Sequence, residues 1–316
     1  AAFADTVSAE TPADASYTEL KWANKLGTDW MNAPSVPTVA DDGVIVMVGT
    51  TINKLSFENG EIVASGNMSS SPSYGYTPAV VNGDKIIAPL GKGTLEAFDA
   101  KTLESKWRVS DELAGQALLP VLCADGKAYT GFWNGEAKDA NFVCVDTATG
   151  ELLWSYTVKG GFYWAGAAEV GSYVVVATDD GENGTKGTSS LLVFKKTYAE
   201  NEEVKPVSSV ELAGCGDARS SITVDGGKVY FTTKGGYLCS ASVNAESGAI
   251  SDLKTVSFNA QSTSTPVVFG NYVYFGAGSG ISDSGSKGSF VIADKNTLEA
   301  VSYTHLRAHE TEADLV

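Results

Sequence analysis

Between Asn141 and Val158 two short apolar runs, Phe142–Val145 and Leu152–Val158, flank the polar stretch Asp146-Thr147-Ala148-Thr149-Gly150. Apolar runs of this length around a Gly-closed polar break predict a β-hairpin. Gly150 can take the positive φ that closes the turn, and the Asp146 carboxylate can accept the turn's own amides. Trp154 lies on the second strand of this hairpin.

The pattern recurs along the chain. Short Gly-bearing turns fall at 41–43, 82–84, 125–127, 170–172, 225–227 and 270–271. Each precedes an apolar run: Val44–Val48, Lys85–Leu90, Ala128–Phe132, Tyr173–Ala177, Val229–Thr232 and Tyr272–Phe275. Such unbroken β-branched and aromatic runs mark strands covered on both faces. A third, alternating strand follows in each unit, as at Leu95–Asp99 and Phe142–Asp146, then a fourth, as at Lys106–Val109 and Leu152–Tyr156. Pro37, Pro78 and Pro120 mark the first strands at a spacing near 42 residues. Four strands per fixed period predict an all-β chain, a β-propeller of four-stranded antiparallel blades with six blades recognisable. A β-sandwich would give no reason for the period. The propeller is placed over residues 18–301, with a polar linker at 1–17.

Two of the hairpins carry a family resemblance. Phe98-Asp99-Ala100-Lys101-Thr102-Leu103-Glu104-Ser105-Lys106-Trp107 and Val145-Asp146-Thr147-Ala148-Thr149-Gly150-Glu151-Leu152-Leu153-Trp154 resemble the pyrroloquinoline-quinone (PQQ)-type propeller repeat. The resemblance implies that Trp107 and Trp154 dock against the neighbouring blade, with Trp22 and Gly150 as further structural positions. Trp22, on a lone outer strand at 19–26, occupies the same position, whereas unit one has Ala64 there. Propellers of this family usually have seven or eight blades, often closed by an N-terminal strand. Here the sixth unit already begins a fourth strand at Leu298, so the Trp22 strand is expected to belong to a further blade. The expectation is a truncated seven- or eight-bladed ring, or a six-bladed ring closed on itself.

Both ends are unusual. Ala1-Ala2-Phe3-Ala4 resembles the end of a secretory signal peptide, so an exported protein of a bacterial surface, extracellular space or periplasm is expected. From Ser302 the sequence Ser-Tyr-Thr-His-Leu-Arg-Ala-His-Glu-Thr resembles a translated sequencing adapter, so 302–316 is read as a non-native tail. That tail, which reads as helical, holds both histidines, His305 and His309. The formal charge is −16, and −14 without the tail. Either value argues against nucleic acid as a partner, since phosphate binding needs clustered Lys and Arg. No apolar run reaches the ~18 residues that span a bilayer. Cys123, Cys144, Cys215 and Cys239 form no C-x-x-C or adjacent pair. A disulfide stays open, beside buried thiols acting as small hydrophobes.

Loop lengths select a binding edge. The added length lies between second and third strands, at 134–140, 179–189 and 278–288, on the edge that also holds the links between blades. Those links carry Phe162 and the candidate ligand-binding residues Trp30, Asn32, Tyr74, Tyr76, Gln116, Tyr163, Trp164, Asp217, Arg219 and Gln261. An aromatic-rimmed mouth suits a planar or glycan-like ligand, although the same rings could simply plug the channel. No catalytic residue is assigned. Without the tail there is no imidazole for a Ser-His-Asp arrangement or a His-metal site. Asp179-Asp180-Gly181-Glu182-Asn183-Gly184 faintly resembles a calcium loop but lacks the closing Glu. PQQ-dependent dehydrogenases would imply a catalytic Asp, calcium and an adjacent-cysteine disulfide, and no Cys-Cys is present. No cofactor or metal is therefore assigned. The expected function is a non-catalytic binding or scaffolding propeller, acting as a monomer on a protein, peptide or glycan. The alternatives are a quinoprotein-like oxidoreductase and a glycan-active enzyme using paired carboxylates.

Overall fold

The computed structural model describes residues 20–27, 32–73, 77–182, 184–278 and 288–306. It contains six four-stranded antiparallel sheets, each a meander in chain order. Blade 1 comprises β1 (Thr38–Ala40), β2 (Gly43–Val48), β3 (Thr51–Leu55) and β4 (Ile62–Asn67). Blade 2 comprises β5 (Val80–Asn82), β6 (Lys85–Leu90), β7 (Thr94–Asp99) and β8 (Ser105–Ser110). In blade 3 these become β9 (Leu122–Ala124), β10 (Lys127–Gly131), β11 (Asp139–Asp146) and β12 (Leu152–Lys159). Blade 4 holds β13 (Ala168–Val170), β14 (Tyr173–Ala177), β15 (Ser189–Lys195) and β16 (Ser208–Leu212). Blade 5 holds β17 (Thr223–Asp225), β18 (Lys228–Thr232), β19 (Tyr237–Val243) and β20 (Ile250–Ser257). Blade 6 holds β21 (Val267–Phe269), β22 (Tyr272–Ala277), β23 (Gly288–Asp294) and β24 (Ala300–Leu306).

Shared apolar cores join consecutive blades. Ile52 and Phe98 meet between blades 1 and 2, and Leu95 and Val143 between blades 2 and 3. Phe142 and Phe194 meet between blades 3 and 4, Val193 and Phe231 between blades 4 and 5, and Tyr230 and Val291 between blades 5 and 6. Second strands such as Lys85–Leu90 are buried on both faces, as their unbroken apolar runs require.

Three of the third-to-fourth-strand turns share one chemistry. Gly150 adopts φ 77°, and Asp146 Oδ1 accepts the amides of Ala148 and Thr149 at 2.9 and 2.8 Å. Asp99 and Asp294 accept their turn amides in the same way. These N–H bonds hold the Asp99 carboxyl well below the usual carboxylate range. The tryptophans dock across the turns. Trp107 Nε1 donates to the Thr147 carbonyl at 3.0 Å, and a Cβ on Gly150 would come within 2.7 Å of the Trp107 ring. Trp154 Nε1 donates to the Lys196 carbonyl at 3.4 Å.

Trp22 repeats that relation on blade 1. Its Nε1 donates to the Phe57 carbonyl at 3.0 Å and its ring covers Gly60, while Asn24 Nδ2 donates to the Gly60 carbonyl at 2.7 Å. Phe57 and Gly60 stand to blade 1 as Thr147 and Gly150 stand to blade 3. Residues 20–27 nevertheless join none of the six sheets. At the other end, residues 302–306 pair with Gly288–Ile292 as the fourth strand of blade 6. This segment is a strand, where its sequence reads as helix. Backbone pairing to β23 outweighs the local propensity.

Candidate functional site

The alternation of antiparallel strands places the second-to-third-strand loops and the links between blades at the same edge. Blades 3, 4 and 5 bring five such segments together there around Arg219. Arg219 and Asp217 lie on the link between β16 and β17, Asp179 follows β14, and Glu136 lies between β10 and β11. Tyr163 and Trp164 come from the link between β12 and β13, and Lys234 from the turn between β18 and β19.

Arg219 is buried and clamped by three carboxylates. Its Nε donates to Asp179 Oδ2 at 3.1 Å and its Nη2 to the same oxygen at 2.8 Å. Nη2 also donates to both Glu136 oxygens at 2.9 Å and lies 2.7 Å from Asp217 Oδ2. The last contact is an ion pair set off the line of a hydrogen bond. Lys234 Nζ stands 3.6 Å from that same Asp217 oxygen. Asp217 Oδ1 accepts the Asp180 amide at 2.9 Å, fixing one segment against the other.

Burial dominates the electrostatics. Asp179 and Asp217 are wholly buried, and burial pushes the Asp179 carboxyl up to about 8 against the pull of Arg219. Asp217 is raised for the same first reason. Arg219 loses solvation as well, yet Asp179 and Asp217 hold it above its ordinary value and keep it charged.

Aromatic rings cover the guanidinium. The Arg219 Cζ lies 4.4 Å from the Tyr163 ring centre and 6.0 Å from that of Trp133, within cation–π range. Tyr163 meets Trp133 edge-on at 4.8 Å and Trp164 at 4.5 Å. All three rings are half-buried. Trp164 adopts φ 59°, a left-handed conformation that costs a side chain about 1–2 kcal/mol and bends the link at this point.

The sequence-predicted residues are distributed unevenly. Tyr163, Trp164, Asp217 and Arg219 converge here. Gln116 joins the edge through an antiparallel bridge to Trp133. Gln261 forms the equivalent bridge to Gly278 in blade 6. Asn32 lies on blade 1 near Gly49. Trp30, Tyr74 and Tyr76 lie outside the described residues. Phe162, of the same aromatic run, is fully buried between blades 3 and 4. Trp133, Glu136, Asp179 and Lys234 were not marked as binding residues. Glu136 lies in the long loop at 134–140, and Asp179 in the calcium-like stretch.

That stretch has another use in this fold. Asp180 Oδ1 accepts the amides of Glu182 and Gly184, and its Oδ2 accepts that of Gly187 at 3.0 Å. The carboxylate therefore pins its own loop. Glu136, Asp179 and Asp217 do present oxygens within 4.8 Å of one another, the donor chemistry of a hard cation. Their oxygens are turned onto Arg219, whose guanidinium carries the positive charge between them. This donor set, as arranged, does not fit calcium, nor a calcium-supported quinone.

No curated protein matches the chain. Among solved structures it is similar to BamB from Moraxella catarrhalis, with TM-score 0.61 and 17% identity over 88% of this chain and 74% of that one. It is also similar to the quinohemoprotein alcohol dehydrogenase ADHIIG from Pseudomonas putida HK5, with TM-score 0.66 and 13% identity over 91% and 62%. A third is the quinohemoprotein alcohol dehydrogenase from Comamonas testosteroni, with TM-score 0.61 and 12% identity over 87% and 62%. The matches thus span less than two thirds of either dehydrogenase, and at these identities they show the fold alone. The family model described as outer membrane protein assembly factor BamB matches residues 91–305. The chain therefore belongs to this family of PQQ-like β-propellers.

Proposed function

We propose that this chain is an exported, non-catalytic binding propeller that engages a protein or peptide through the edge bearing Trp133, Tyr163 and Trp164. One observation carries the reading. Two half-buried rings, Trp133 and Tyr163, lie on a guanidinium that is itself clamped by Asp179, Asp217 and Glu136, and Trp164 packs edge-on against Tyr163. A buried arginine held by three carboxyl groups is poorly placed to leave its partners for a reaction, and it makes a firm support for the half-buried rings. Rigid aromatic side chains lose little entropy on contact and commonly anchor interfaces. The family description and the Moraxella catarrhalis neighbour support a protein partner over a glycan. A glycan stays an outcome of the test.

Peptide and glycan arrays probed with the purified protein test the reading. Retention on peptides is expected, with Tyr163→Ala weakening it at least about tenfold, as loss of a central aromatic anchor does. Melting in the presence of PQQ and calcium is expected to match melting without them. A rise in melting temperature with both added, together with dye reduction by an alcohol, would establish the oxidoreductase instead.

A further inference from the structure

The link between β8 and β9 meets the segment after β10 in an isolated antiparallel pair at the aromatic edge. The Gln116 amide donates to the Trp133 carbonyl at 2.8 Å, and the Trp133 amide donates to the Gln116 carbonyl at 3.1 Å. Residues paired in this way send their side chains to the same face, with Cβ atoms about 5 Å apart. On that face the Trp133 ring meets Tyr163 edge-on at 4.8 Å and lies 6.0 Å from the Arg219 guanidinium.

The pair carries an acceptor and a donor with nothing to bond. Gln116 Oε1 and Trp133 Nε1 are both buried, and neither has a hydrogen-bond partner among the described residues. A buried polar atom left unpaired is costly, so a ligand that supplies both partners gains more than contact area. The docking tryptophans differ, since Trp107 and Trp154 Nε1 donate to backbone carbonyls. Blade 6 repeats the bridge with Gln261 and Gly278, but Gln261 is exposed and a glycine stands opposite it. Of these two bridges, only that at Trp133 sets a donor across from the glutamine.

We propose that Gln116 and Trp133 read one extended residue of a peptide through its main chain, a role that rests on this edge binding a peptide. In an extended chain the N–H and C=O of one residue point to the same side, which is how antiparallel strands exchange two hydrogen bonds. The ligand's N–H donates to Gln116 Oε1, and its C=O accepts from Trp133 Nε1. Neither bond depends on the ligand's side chain. The pair therefore orients the segment, while Tyr163 and Trp164 supply the apolar contact beside it. Gln116 and Trp133 are both half-buried, so the rotamer changes common at interfaces bring the two atoms to the ligand.

Nuclear magnetic resonance of the whole chain, isotope-labelled at its indoles and titrated with N-acetylglycine N′-methylamide, reads the contact directly. The Trp133 indole N–H signal, identified by its loss in Trp133→Phe, is expected to move, with those of Trp107 and Trp154 unmoved. N-acetylsarcosine N′-methylamide keeps the carbonyl and lacks the N–H. It should bind about threefold to tenfold more weakly, the effect of one hydrogen bond, and Gln116→Met should erase that preference. No movement of the Trp133 signal, or equal binding of the two probes to the native protein, would overturn the inference even where the array retains peptides. Tighter binding of acetamide would assign the pair to an Asn or Gln side chain and overturn main-chain reading. A response to glucose alone would overturn this inference and the peptide reading together.

Discussion

At the residue scale, the decisive group is Arg219. Its charge is buried among the carboxyl groups of Glu136, Asp179 and Asp217. Removing one member of such a cluster leaves buried charge without a counter-ion, at a cost of about 3–5 kcal/mol. Arg219→Met is therefore expected to lower the unfolding free energy by about that amount in urea melts, although it fills similar space. Asp179 makes a prediction about pH. Its folded carboxyl titrates near 8 instead of the ordinary 3.8, because burial outweighs the pull of Arg219. Between these values the folded state binds more protons than the unfolded one, so stability falls as pH rises through that window. The contribution is fully present below about 4 and is lost as pH passes through about 8. Asp179→Asn removes the titration, and melts at pH 5, 6.5 and 8 should show a flatter dependence than the native protein.

At the scale of elements, the hairpin with its docked tryptophan is the recurring unit. Trp154 is buried among Tyr129, Phe142 and Phe194, and Trp107 lies over the Thr147–Gly150 turn. Trp154→Ala should cost about 3–5 kcal/mol in chemical denaturation. Gly150→Ala should also destabilise, since it adds a side chain at φ 77° and drives a methyl into the Trp107 ring. A stability loss in Gly150→Ala no larger than about 0.5 kcal/mol, as at an ordinary surface position, would contradict that docking.

These elements were legible because local chemistry specifies them. Asp146, Gly150 and Trp154 act within one hairpin and its neighbour, so a single repeat displays the rule. The candidate site was legible only in part. Tyr163, Trp164, Asp217 and Arg219 sit on links whose position in the repeat marks the edge. Glu136 and Lys234 owe their place to blades 3 and 5 converging on Arg219, from sequence positions 83 and 15 residues away. The strand at 302–306 was hidden for a related reason, because its partner β23 sets its conformation.

At the scale of the whole molecule, each shared core joins only consecutive blades, as in other repeat architectures. Trp22 applies the docking rule from outside the six sheets, which is how the outer strand of a blade preceding blade 1 would sit. Blade 6 has its own outer strand in β24. Phe269 on that blade is 66% exposed, so Phe269→Ser should change stability by less than about 0.5 kcal/mol. The aromatic edge is where the fold adds loop length to rigid blades, and binding surfaces commonly arise there. Its role is tested most directly by hydrogen exchange with and without a peptide retained on the array. The account predicts slowed exchange in residues 132–138, 160–166 and 215–219, with the turns at 100–104 and 147–151 unchanged. Protection confined to those turns, with the Tyr163 and Arg219 segments unaffected, would contradict it.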